Sequence, residues 1–209
     1  MKKWWIPVAA LSVAVAPVVA RTPKPQVANP DGVQTLDDAV TVCRNSGLTG
    51  WDLVEFAQRL VHRKFTRYSI LSVWEPPALA FRNSRGYCNQ YNTALWWLLR
   101  ELGFDAERVF ATRVRQDINP WWRMGHMWVR VTIDGLTLDV CAGRPDNRPG
   151  RVSFTPVTDV MPFHAWTYVN TNNGMILFTI VNVWRSLLTR QPLPRWMERE
   201  FGSTVREQG

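Results

Sequence analysis

Ser84-Arg85-Gly86-Tyr87-Cys88-Asn89-Gln90-Tyr91-Asn92-Thr93-Ala94-Leu95-Trp96-Trp97-Leu98-Leu99-Arg100-Glu101-Leu102-Gly103 sets a cysteine just after a glycine turn, at the first turn of a helix. Tyr91, Ala94, Leu95, Leu98, Leu99 and Leu102 recur at helical spacing, and Trp96 and Trp97 widen the stripe. A helix this apolar is buried nearly all round, and Gly103 ends it. Backbone N–H groups at a helix start favour negative charge, so a thiol held there is biased toward thiolate. Cys88 is the candidate nucleophile, although a buried structural cysteine fits the same stretch.

Downstream, Ala106, Arg108, Phe110 and Thr112 alternate with Glu107, Val109, Ala111 and Arg113, which predicts a strand over 104–114. Asp117 to Gly125, with Asn119-Pro120 and two tryptophans, reads as a loop. Met127, Val129, Val131 and Ile133 then alternate with His126, Trp128, Arg130 and Thr132. After the turn signal Asp134-Gly135, Leu136, Leu138 and Val140 alternate with Thr137, Asp139 and Cys141. The pattern is a hairpin whose valine and leucine face is apolar, so His126, Trp128, Asp139 and Cys141 share the other face.

A thiol nucleophile needs a base, and the base needs an acceptor that fixes its tautomer. Cys88, His126 and Asp139 offer those roles in that order. The register works against the last of them. If Asp134-Gly135 closes a two-residue turn, Asp139 pairs with Arg130 and lies about 13 Å along the ladder from His126. Coiling, a wider loop or a bulge is needed to join them.

Upstream, Thr35 and Asp38 form a capping box that starts a helix running to Gly47. Trp51, Val54, Phe56, Ala57, Leu60, Val61 and Phe65 then share one face of a second helix, which leaves His62 on a solvated edge. Residues 68–79 are irregular. The start of the chain, Lys2 and Lys3 followed by an apolar run from Trp4 to Ala20 and then Arg21, reads as a signal peptide or a retained N-terminal membrane anchor over 1–21. Either places the protein outside the cytoplasm, secreted or held at the cell envelope. Residues 22–34, rich in Pro, Asn, Gln and Gly, read as a linker. A loop and a further strand over 152–160 complete a domain over 35–160. Residues 161–209 form an extension with helical character, whose apolar run 174–185 either packs on the core or lies in a membrane interface with Arg185, Arg190 and Arg195 near the headgroups.

The 12 tryptophans and 46% apolar content exclude a disordered chain. A net charge of +8 fits association with an anionic membrane or cell wall. The basic residues are scattered, so no nucleic-acid partner is expected, and nothing points beyond a monomer. Cys43, Cys88 and Cys141 allow a Cys43–Cys141 disulfide or three free thiols. His62, His126 and His164 lack paired ligand spacing, so no metal and no cofactor is expected. His164, in a second His-x-Trp, is the backup base.

Gly86-Tyr87-Cys88 opening a long helix, then Gly125-His126-Met127-Trp128-Val129 and Leu138-Asp139-Val140, resembles the transglutaminase-like core of the papain-type cysteine fold over about 51–143. The resemblance implies an α+β fold in which N-terminal helices and a central Cys-bearing helix pack on an antiparallel sheet. It also implies a Cys88, His126, Asp139 triad and acyl transfer or hydrolysis of a carboxamide through a thioester, with a protein or peptide substrate. In that chemistry the Cys88 N–H helps hold the oxyanion and His126 protonates the leaving amine. Tyr87, Gln90, Trp121, Trp122 and Trp128 are the candidate substrate-binding residues.

The same stretch resembles arylamine N-acetyltransferases. Arg85-Gly86-Tyr87-Cys88-Asn89-Gln90-Tyr91-Asn92 is similar to their Arg-Gly-Gly-x-Cys-x-Glu-x-Asn, with one glycine and the glutamate missing. Leu138-Asp139-Val140 is similar to their Val-Asp-Val-Gly. Acetyl transfer is therefore an alternative, and a catalytically inactive envelope-binding module is a third.

Overall fold

The computed structural model describes residues 5–117 and 119–203. Helix α1 spans Trp5–Arg21, α2 Leu36–Asn45 and α3 Gly50–Lys64, followed by strand β1 at Arg67–Ser69. Helix α4 covers Pro77–Arg82, β2 Arg85–Gly86 and α5 Cys88–Glu101. Strands β3 (Asp105–Gln116), β4 (Asn119–Ile133), β5 (Leu136–Val140), β6 (Phe154–Pro156) and β7 (Met161–Pro162) precede α6 (Ala165–Thr189) and β8 (Glu198–Glu200).

The fold is α+β, with the Cys88-bearing helix packed on an antiparallel sheet and α2 and α3 behind it. The sheet runs β5-β4-β3-β6, with β7 also on β3, and a smaller sheet β2-β1-β8 stands beside the start of α5. Leu95, Leu98 and Leu99 of α5 meet Val109, Val129, Val131 and Val140 of the sheet, and Val54, Leu60 and Val61 of α3, in one buried cluster. Burying a leucine or valine contributes about 1.5–3 kcal/mol, so this cluster fixes where both ends of α5 lie.

Local chemistry sets the helix ends. Asp38 N–H donates to Thr35 Oγ1 at 3.2 Å and Thr35 N–H to Asp38 Oδ2 at 2.8 Å, the reciprocal box that opens α2. Gly103, at φ 90°, lets the chain leave α5 left-handed, with Phe104 N–H returning to Leu99 O at 3.0 Å.

Three segments differ from the sequence expectation. Residues 119–125 are not a loop: after a register shift between Ala111 and Val114 the ladder resumes with Val114↔Met124 and Arg115↔Arg123, so β3 and β4 continue as a long hairpin. Extra residues absorbed by a bulge break the alternation that marks a strand in sequence. The supposed linker is fastened to the body, with Val33 fully buried, Lys64 Nζ donating to Ala28 O at 2.6 Å and Arg85 donating to Pro23 O. The irregular stretch 68–79 contains the end of β1 and the start of α4, and its carbonyls brace the turn before Cys88.

Candidate functional site

The site begins where β5 stops. The ladder between β4 and β5 closes at Val129↔Val140, so Met127, two residues further along β4, has no strand on that side. Helix α5 takes the vacancy. Asn92 Nδ2 donates to Met127 O at 2.6 Å, and the Met127 N–H faces the Cys88 sulfur. Asn92 lies one turn after Cys88 on the same face, and its Oδ1 also accepts from Ala142 N–H at 3.1 Å. One buried amide thus joins α5, β4 and the chain leaving β5.

The approach to Cys88 is equally fixed. Tyr87 N–H donates to Gln90 Oε1 at 3.0 Å, while Gln90 Nε2 donates to Ser72 O and Glu75 O, each at 2.8 Å. A Cβ at residue 86 would come within 2.7 Å of Gln90 Oε1, so only glycine lets the turn close on this side chain. Arg85 pairs with the buried Glu75 beneath.

Cys88 retains part of its surface, yet its dense surroundings push the thiol up to about 11; the N–H groups of Met127, Asn89 and Cys88 and the Arg199 cation act in the opposite direction. His126 is 8% exposed, and burial pulls its imidazole down to about 4. Its ring lies 6.1 Å from Trp128, stacked, and 4.6 Å from Phe154, edge-on. The group that reaches the ring is Cys141, whose sulfur is 3.5 Å from Nε2. Burial pushes that thiol up to about 12, so a neutral imidazole meets a neutral thiol.

Asp139 does not orient His126. Its register mate is Arg130; Oδ1 accepts from Arg130 Nε at 2.9 Å and from Trp128 Nε1 at 2.8 Å. Among the described residues no hydrogen bond or ion pair joins it to His126. The Asp134-Gly135 turn enforces the two-residue register, and Cys141, two positions on, occupies the place beside the imidazole. Nor does a hydrogen bond join Cys88 to His126 among the described residues; the two meet at neighbouring positions of β4 through Met127.

The other candidates divide. Trp128 is fully buried and packs on His126 and Phe154. Tyr87 is turned inward: its hydroxyl donates to Asn172 of α6 and accepts from Asn89, inside the buried group formed with Val18, Ile70, Leu71 and Val183. Gln90 spends its amide on the turn. Trp121 and Trp122 belong to β4, and their side chains lie outside the described residues. His62 is not solvated; it is half-buried, with Nδ1 2.9 Å from Ala142 O and its ring against Phe201. His164 is the exposed cap residue of α6. The three cysteines are free thiols.

A cleft of about 40 Å³ opens onto His126 and Cys141, walled by Tyr68, Tyr91, Asn147 and Phe154 and closed by Arg199, Phe201, Gly202 and Ser203. Strand β8 delivers that closing segment by pairing with β1, Tyr68↔Arg199, and the Arg199 guanidinium lies 3.7 Å from the centre of the Tyr68 ring. Sequence reasoning missed Asn92, Cys141 and Arg199. Asn92 was legible as a polar residue on an otherwise apolar helix face, and Cys141 as a sharer of the His126 face; nothing in the sequence ties residue 199 to the site.

Residues 80–174 match the model of an N-acetyltransferase family. Among solved structures, the arylamine N-acetyltransferase from M. tuberculosis is similar at 23% identity with a TM-score of 0.41, over 55% of this chain. The chain spans about half the length of that structure, 51%. No curated protein matches the chain.

Proposed function

We propose that the chain is a cysteine acyltransferase of the arylamine N-acetyltransferase kind, which carries an acetyl group on Cys88 from an acyl thioester such as acetyl-CoA to an amine. The observation that carries this reading is the convergence of the α5 start, with Cys88 under the Met127 N–H, on the strand bearing His126, all within the stretch that matches the N-acetyltransferase family.

In the first half-reaction the Cys88 sulfur gives its proton to His126 and attacks the thioester carbonyl. The bond to the donor sulfur breaks, and the donor thiol leaves with that proton. In the second half the amine nitrogen attacks the new thioester, passes a proton through His126 to the Cys88 sulfur, and departs as the amide. An imidazole held near 4 is neutral at pH 7 and so has a free lone pair, but it is a weak base beside a thiol near 11, so the proton moves only in concert with attack on the carbonyl. Backbone N–H groups at the start of α5 are suited to hold the oxyanion. With Asp139 turned away, Trp128 and Phe154 position the ring instead. The cleft beside His126, of about 40 Å³, is not lined by Cys88, so the segment carrying Arg199 and Phe201 must give way before an acyl donor reaches both groups.

The test is intact-mass analysis after incubation with acetyl-CoA or p-nitrophenyl acetate. A single acetyl adduct is expected, lost in Cys88→Ser and retained in Cys141→Ser; an adduct that follows Cys141 overturns the assignment of the nucleophile. The closure of the cleft by Arg199 and Phe201 favours a second reading, a non-catalytic binding module. That reading prevails if neither donor leaves an adduct and an arylamine is not acetylated.

A further inference from the structure

We infer that α1 and α6 form a docking face for an anionic lipid bilayer, lying in the plane of the headgroups. The two helices pack on each other: Trp184 Nε1 donates to Ala14 O at 3.0 Å and Arg21 donates to Ser186 Oγ at 2.7 Å. Val18 of α1 and Val183 of α6 are fully buried, in one group with Ile70, Leu71, Tyr87 and Met197. Helix α1 therefore belongs to the folded body, and the docking face includes it.

The outer faces are unlike the rest of the surface. Eleven of the 17 exposed large apolar side chains among the described residues lie on these two helices, a concentration well beyond the scattered apolar residues of an ordinary surface. On α6, Trp166, Val169, Leu177, Val181 and Leu188 recur at helical spacing and are 45–78% exposed. Asn170 and Asn173 dilute the first half of that face, so the apolar contact is centred on Leu177 to Leu188.

Charge selects the occupant. Arg185 and Arg190, both exposed, sit at the same end of α6 as Leu188, and exposed Arg195 follows. No acidic residue lies on α1 or α6. Arg185 follows Val181 by four residues, so it shares the apolar face, and its long stem lets the guanidinium reach phosphates while the neighbouring side chains enter the acyl boundary. No helix among the described residues is long and apolar enough to cross a membrane, which fits a helix pair lying in the interface. The formal charge of +8 adds long-range attraction. This inference stands independently of the chemistry at Cys88.

The experiment is co-sedimentation of the full-length chain with vesicles of phosphatidylcholine and phosphatidylglycerol, and with phosphatidylcholine alone. Binding to the anionic vesicles is expected, falling at least about tenfold in the triple variant Leu177→Glu/Val181→Glu/Leu188→Glu and in Arg185→Glu/Arg190→Glu. Circular dichroism checks the fold, and the milder Leu177→Gln/Leu188→Gln replaces the triple variant if that one does not fold. Equal sedimentation with neutral vesicles, or unaltered binding by the folded variants, overturns the assignment. So does a wild-type dimer that the glutamates split with no vesicle binding, since a second copy then covers the face.

Discussion

Helix α5 buries nine of its 14 residues, whereas α6, with 25 residues, buries three. The difference is more than depth. In α5 the buried set includes Asn89, Gln90 and Asn92, whose amides are hydrogen-bonded, so the helix holds atoms at fixed positions. In α6 Trp166, Val169, Leu177, Val181 and Leu188 point outward, while Phe178 meets Trp196 and Val183 is buried. The first helix is specified by what it touches inside the molecule, the second by what lies outside it.

The largest effect that could break this contrast is a cavity in α5. Leu95→Ala should lower the unfolding free energy by about 4 kcal/mol, read from urea denaturation, because Leu95 is wholly buried between sheet and helices. Asn92→Leu should follow at about 3 kcal/mol, since it strands Met127 O and Ala142 N–H in the interior. A loss below about 1 kcal/mol in either would show that the junction is looser than its bonding indicates.

His126 makes a pH-dependent case. Its imidazole is held near 4 by burial, below the ordinary value of about 6.5, so between those values the folded chain binds fewer protons than the unfolded one. Its contribution is complete above about pH 6.5 and is lost as pH falls toward 4, by up to about 3 kcal/mol. His62, also lowered by burial, acts in the same direction. The comparison of wild type with His126→Phe at pH 7 and pH 4.5 isolates the His126 share; parallel losses in both proteins would remove it.

Asp139→Asn should be milder, about 1 kcal/mol, because the Arg130 pair is about one-third exposed and the Trp128 bond can persist. It should leave the His126 titration by NMR unchanged; a marked downward shift would restore the triad. Smallest of all, Leu177→Ala should change stability by less than about 0.5 kcal/mol, since that side chain is 66% exposed.

The elements around Cys88 were legible because apolar periodicity and capping chemistry are local. Thr35 and Asp38 announce α2, the leucine stripe announces α5, and Asp134-Gly135 fixes the pairing that sends Asp139 to Arg130. What local pattern could not convey was the chain's exit from β5, where Cys141 rather than Asp139 comes to His126. The bulge at Ala111 to Val114 likewise hid the end of β3 and, inside an apparent loop, the first half of β4. Arg199 reaches the site through a three-residue strand too short to carry any alternation.

The pairing of β8 with β1 also has a temporal meaning. Residues 198–200 close a wall whose other half is set by residues 67–69, so during synthesis the cleft remains unroofed until some 130 residues have followed Tyr68 out of the ribosome. Cys141, made about 60 residues before Phe201, lacks until then the cover that Arg199 and Phe201 provide. The site's wall is therefore completed last, by the pairing of its final strand.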